Sequence, residues 1–225
     1  YMSSLIEYDE KTLLALTTGQ NPAVNDRYCP EVYVVESTDN GKTWKKRGVV
    51  ASDSKMFYGY GGDGAEVSMC KTKSGRLLCV MRMEMSITQT HFCDTMLAMS
   101  DDGGYTWTKP ISVAESSVTP HIVALKTGVA VLIYGRPGVH FKYSLDNGET
   151  FSCSTAIIGE TLSEKRARGI TDSVSKYGDM DSYSNTFVEI LNDNSLLVVY
   201  NDMKYDPGDG KNHKATLVAE IQFIK

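Results

Sequence analysis

The sequence predicts an all-β propeller built from about four similar blades. Three observations lead there. Four apolar hairpins recur along the 225 residues at intervals of roughly 54–63 residues. An octamer of fixed pattern recurs three times in phase with them. Stretches with helical periodicity are scarce, while thirteen Tyr, nineteen Gly and many short Val/Ile/Leu runs favour strands.

Each hairpin is an apolar strand, a polar turn and a second apolar strand. They are LIEYDEKTLLALT (5–17), EVSMCKTKSGRLLCVMR (66–82), PHIVALKTGVAVLIYGR (120–136) and YSNTFVEILNDNSLLVVYN (183–201). Their turns fall at Asp9-Glu10, Ser74-Gly75, Thr127-Gly128 and Asp193-Asn194, chemistry suited to tight reversals. An interval of this length accommodates a four-stranded blade with its turns.

The octamers are STDNGKTW (37–44), SDDGGYTW (100–107) and SLDNGETF (144–151), all Ser-x-Asp-x-Gly-x-Thr-(Trp/Phe). Each follows a strand-like run and precedes another, as a turn between a blade's two outer strands would. Asp39, Asp102 and Asp146 can accept backbone N–H groups within the turn. Gly41, Gly104 and Gly148 can take positive φ. Trp44, Trp107 and Phe151 can lock the turn against the blade.

Composition narrows the function classes. The length allows one large domain or two small ones, with room for a continuous core. A net charge of −5 with no Lys/Arg block argues against a nucleic-acid partner. No apolar run approaches the roughly 18 residues of a membrane span. The five cysteines, Cys29, Cys70, Cys79, Cys93 and Cys153, form no CxxC and read mostly as buried thiols; Cys70 and Cys79 could face each other across their hairpin. No His/Cys/Asp/Glu cluster has metal-ligand spacing, so no metal or cofactor is expected. The chain opens at Tyr1 without an initiator Met or a leader pattern. It reads as a processed protein or a piece of a longer one.

The octamers resemble the Asp-box (BNR) repeats of the sialidase superfamily, and the resemblance runs from the first hairpin to the closing ATLVAEIQFIK. It implies a six-bladed β-propeller of sialidase type. Residues 1–225 would be the C-terminal part of that one domain, with about two N-terminal blades lying elsewhere in the same protein or in a companion fragment. An open arc of four blades would expose sheet edges, and so would need such a partner or a domain swap. The resemblance also places the Asp boxes on the outside of the propeller, as blade fasteners rather than catalytic groups.

Hairpin geometry nominates site residues independently. Glu66 opens one strand and Arg82 closes its partner, so both lie at the hairpin's open end. The same folding back brings Pro120/His121 near Arg136, and Tyr183 near Asn201–Met203. Glu66, Arg82, Arg136 and Tyr183 should therefore converge at one mouth of the channel. Two arginines can bind a carboxylate through charge-assisted bonds. A Tyr hydroxyl, with an ordinary pKa of about 10, attacks only when a base takes its proton, and a nearby Glu can serve. Tyr is the nucleophile noted for sialidases among retaining glycosidases.

The resemblance then implies roles. Tyr183 in DSYSNTFVEI is similar to the family's nucleophile, Glu66 in GDGAEVSM to its base, and Arg82 and Arg136 (in IYGRPG) to the second and third arginines of its triad. The first arginine's Arg-Ile-Pro motif and the acid/base Asp have no counterpart here. Plainer readings stand beside these: Glu66 as an exposed strand-end carboxylate, Arg82 as its ion-pair partner, Arg136 as a turn brace, Tyr183 as a buried aromatic. Asp63, Asp179 and Asp181 lie near the same rim. The run KRARG (165–169) reads as a loop whose Arg166 and Arg168 overhang the channel or are simply solvated. His121 points to the mouth and marks a rival.

The favoured function is an exo-α-sialidase, releasing terminal sialic acid from a glycoconjugate with retention. The rivals are another propeller enzyme, a hydrolase or lyase acting on uronate- or rhamnose-containing glycans, and a non-catalytic glycan- or protein-binding propeller. The expected partner is a sialylated glycan or other anionic sugar. By family resemblance, secretion or the cell envelope is expected.

Overall fold

The computed structural model describes residues 2–20, 30–52, 66–82, 94–115, 118–135, 138–168 and 184–224. Among them are four antiparallel sheets, each formed by strands consecutive in the chain. The first holds β1 (Met2–Glu7), β2 (Leu13–Gln20), β3 (Pro30–Ser37) and β4 (Lys45–Ala51). The second holds β5 (Val67–Lys71), β6 (Leu77–Arg82), β7 (Thr95–Ser100) and β8 (Ile111–Ala114). The third holds β9 (Val118–Ala124), β10 (Ala130–Gly135), β11 (Val139–Ser144) and β12 (Thr155–Ile158). The fourth holds three strands, β13 (Ser184–Ile190), β14 (Ser195–Tyr205) and β15 (His213–Gln222). The four hairpins of the sequence are thus the first two strands of the four sheets.

The sheets are joined through their opening strands: β1 packs on β5, β5 on β9, and β9 on β13. Serine hydroxyls stitch the first junctions. Ser4 Oγ bonds both the N–H and the C=O of Met69 at 3.2 Å. Ser68 Oγ accepts the N–H of Ile122 at 3.1 Å.

Three apolar seams fill the spaces between sheets. Strand alternation explains why β6 is apolar over residues 77–81 and β10 over 130–134. On β6, Leu77, Cys79 and Met81 enter the first seam, while Leu78 and Val80 enter the second. On β10, Ala130, Leu132 and Tyr134 enter the second seam, and Val131 and Ile133 the third. A strand buried on both faces has no use for polar alternation. Each fully buried Leu or Met contributes roughly 1.5–3 kcal/mol. Where a sheet has one packed face the alternation returns, as in β15, whose partly buried residues alternate with exposed ones.

Register also settles the cysteines. Met69 pairs with Cys79 and Cys70 with Leu78. One residue of offset turns side chains to opposite faces. Cys70 and Cys79 therefore do not face each other: Cys70 lies in the second seam and Cys79 in the first.

All three octamers connect the third and fourth strands of their sheets and share one bond pattern. Ser37, Ser100 and Ser144 each donate to the Asp two positions on, at 2.7–2.8 Å. Each also accepts the glycine N–H four positions on, at 2.8 Å. Asp39, Asp102 and Asp146 accept the Thr backbone N–H at 2.9 Å and its hydroxyl at 2.5–2.6 Å. These bonds hold all three carboxyls at a pKa of about 2, with the Thr hydroxyl the largest cause. Positive φ occurs at two adjacent positions per octamer, Asn40-Gly41, Gly103-Gly104 and Asn147-Gly148. This explains the Asn/Gly preference at the fourth position as well as the fifth. Trp107 packs into the first seam and Phe151 into the second.

Candidate functional site

The mouth of the second sheet is built by its first hairpin. The N–H of Arg82, the last residue of β6, donates to the Glu66 carbonyl at 2.9 Å and pins the open end of the hairpin. Above that backbone pair the side chains meet, with Arg82 Nη1 3.1 Å from Glu66 Oε2. Arg82 is largely covered, its side chain 18% exposed, and Glu66 is half-open at 34%.

A third group joins from the next sheet. The backbone N–H of Thr119 donates to the same Glu66 Oε2 at 2.5 Å. Thr119 sits in a bulge of β9: Gly135 faces Val118 and Ile133 faces His121, so β9 carries one residue more than its partner there. Its φ is +46°. Glu66 Oε1 accepts no hydrogen bond among the described residues. Among the described residues, the result is a carboxylate with Oε2 doubly held and Oε1 without a donor.

Two residues further along β9, His121 meets Phe187 of β13 edge to face, with ring centroids 6.1 Å apart and planes at 70°. Phe187 is 54% exposed. It directly follows a second irregularity, between Ser184 and Phe187 of β13. Opening strands of two neighbouring sheets thus both depart from regular pairing near this mouth, as strands do where a side chain or donor is re-aimed.

Of the four principal sequence candidates, Glu66 and Arg82 are brought together. Arg136 and Tyr183 lie outside the described residues. Of the residues beside them, Gly135 pairs with both Val118 and Val139, and Ser184 with Asn201. Asp63, Asp179 and Asp181 also lie outside the described residues.

The KRARG segment departs from the expected loop. Its first residues end a short helix, α1 (Leu162–Ala167). Thr161 caps that helix: its Oγ1 accepts the Glu164 N–H at 3.1 Å, and its own N–H donates to Glu164 Oε2 at 2.7 Å. Sequence periodicity could not reveal six residues of helix, but Thr-x-x-Glu was a readable start signal. Arg168, read as either overhanging the channel or simply solvated, pairs with Glu160. Thr119 was missed altogether, because its contribution is a backbone donor.

The BNR repeat-like domain family matches residues 3–221 of the chain. No curated protein matches the chain. Solved structures do. A protein of unknown function from Dyadobacter fermentans aligns over 97% of this chain and 52% of its own, with TM-score 0.65 and 18% identity. The Hadza microbial sialidase Hz136 aligns over 96% of this chain and 43% of its own, with TM-score 0.59 and 16% identity. A PL25 ulvan lyase bound to a GlcA-Rha3S repeat aligns over 97% and 50%, with TM-score 0.64 and 12% identity. The chain thus spans about half the length of the structures it matches. At such identities the likeness establishes a shared fold, part of a sialidase-type propeller.

Proposed function

Since the chain belongs to the BNR repeat-like domain family, we propose that it forms part of an exo-α-sialidase, a retaining hydrolase of terminal sialic acid. The single observation that carries this reading is the Glu66–Arg82 pair at the open end of the second hairpin, whose Glu66 Oε1 accepts no hydrogen bond among the described residues. Fold alone would not suffice, because one propeller hosts several chemistries.

In this mechanism Arg82 and Arg136 bind the sugar's C1 carboxylate through charge-assisted bonds. Glu66 takes the phenol proton of Tyr183 as the phenolic oxygen attacks the anomeric carbon. A covalent glycosyl–enzyme forms and the aglycone oxygen departs, protonated by an acid supplied outside this chain. Water then releases the sugar with net retention. A neutral phenol approaches the anionic sugar without the repulsion a carboxylate nucleophile would meet. No cofactor takes part.

The test is release of a fluorogenic aglycone from an α-sialoside by the full-length protein. Tyr183→Phe should abolish turnover while sparing binding, and Glu66→Gln should lower kcat roughly 10²–10⁴-fold. Undiminished turnover in Tyr183→Phe removes the mechanism.

A second reading has its own observation in His121, which shares β9 with Thr119 and stands against exposed Phe187 of β13. On this reading the site acts on a uronate- or rhamnose-containing glycan, with the arginines on the uronate and His121 as base. Loss of activity in His121→Ala, together with indifference to Tyr183→Phe, would select it.

A further inference from the structure

Thr119 holds a backbone conformation that its chemistry opposes. Its φ of +46° lies in the left-handed region, which β-branched residues seldom enter. Pro120 follows it, and a proline ring drives the preceding residue towards extended conformations. Two unfavourable preferences therefore coincide at one position. Such strain survives where surrounding structure fixes it, and it gathers at functional sites.

The bulge shows what the strain achieves. The additional residue of β9 drops out of the β10 ladder, and its N–H turns across to Glu66, 53 residues away on the neighbouring sheet. We propose that Thr119 is a positioning residue for Glu66: its left-handed bulge aims a backbone donor at Oε2, so that Thr119 and Arg82 together fix the carboxyl's rotation and leave Oε1 for proton transfer. An ion pair with one long guanidinium would let that carboxyl rotate. Two donors from different sheets, converging on one oxygen, do not. The bond stands on geometry alone, whereas its role in turnover rests on the reading of Glu66 as the base.

Two measurements on the full-length protein separate these. In the first, the protein carries ¹⁵N-threonine, and the Thr119 amide signal is identified by its loss in Thr119→Ser. Its hydrogen exchange should be at least about 10-fold slower in the wild type than in Glu66→Ala, which removes the acceptor. A Thr119 amide that exchanges at the same rate in both proteins overturns the proposal whatever the substrate.

In the second, Thr119→Gly keeps the donor and tolerates the left-handed backbone, and should hold kcat within about 3-fold of wild type. Thr119→Pro removes the donor. It should lower kcat by about 10-fold or more with KM nearly unchanged. A folded Thr119→Pro protein with wild-type kcat overturns the positioning role. Should that variant not fold, the amide exchange decides. A wild-type protein inert towards α-sialosides removes the sialidase reading instead, and the amide exchange still judges the bond.

Discussion

Arg76 of the second sheet reaches across a seam to Glu149 in the octamer turn of the third. The same guanidinium grips Asp101 of its own octamer through two bonds, Nε–Oδ1 at 2.6 Å and Nη2–Oδ2 at 3.0 Å. One side chain thus ties successive octamers together. Both carboxylates are mostly exposed, so solvent screening keeps the effect small. Arg76→Ala should lower Tm by about 2–4 °C without touching activity, and adding salt to the wild type should reproduce part of that loss.

Gly48 marks a place where two sheets touch backbone to backbone. A Cβ there would stand 2.1 Å from the Gly104 carbonyl oxygen and 2.7 Å from that of Tyr105. No side-chain rotation can relieve a clash with main chain. Gly48→Ala should destabilise by about 2 kcal/mol or more, read as a lowered urea midpoint at unchanged slope. Gly75→Ala is the control for steric crowding. Unlike Gly48 it has positive φ, but nothing stands within 4 Å of the added carbon, so any cost there is backbone conformation alone.

The octamer aspartates set an acid limit on stability. Their carboxyls are held at about 2 in the folded chain, below the ordinary aspartate value. A depressed folded pKa stabilises fully above the unfolded value and loses that contribution as pH falls through the folded one. Urea midpoints should therefore change little on this account down to about pH 4 and fall between there and pH 2. Replacing Asp39, Asp102 and Asp146 together by Asn should lower the plateau and flatten that fall. An unaltered acid limb would separate the octamers from acid unfolding.

Among the three described cysteines, reactivity should follow burial. Cys70 is enclosed, and burial alone pushes its thiol up to about 12; Cys79 is raised further by burial. Cys153 is exposed. A thiol reagent followed by peptide mapping should mark Cys153 in the native protein, and Cys70 and Cys79 only after unfolding.

At the mouth, Arg82→Lys keeps the charge and loses the planar fork. On the sialidase reading, KM for an α-sialoside should rise roughly 10–100-fold with a smaller change in kcat. An unchanged KM would assign Arg82 to bracing Glu66 alone.

The frame was legible because its signals are local. Turn residues such as Ser74-Gly75 and Thr127-Gly128 fix hairpins, and Gly75 and Gly128 do take positive φ. The octamers announce themselves because Ser, Asp, Gly and Thr all bond within eight residues. Glu66 and Arg82 could be placed at one end of a hairpin because folding back is arithmetic. What escaped depends on distant chain. The Thr119 donor acts through a backbone whose bulge no residue type declares, though Pro120 was a hint of irregularity. Gly48 reads as any strand glycine until the neighbouring sheet is in place. The opposed faces of Cys70 and Cys79 hang on a single residue of register. Six residues of α1 are too few to show a helical period.

The seating of Trp107 gives the molecule an uneven optical voice. The chain has two tryptophans, Trp44 in the first octamer and Trp107 wedged in the first seam. In the third octamer Phe151 takes that place, in the second seam. Intrinsic emission above the tyrosine range therefore watches the first two sheets and is blind to the last two. Circular dichroism of the backbone watches all four. The gap between an emission melt and a dichroism melt of one sample would measure directly whether the sheets let go together or one after another.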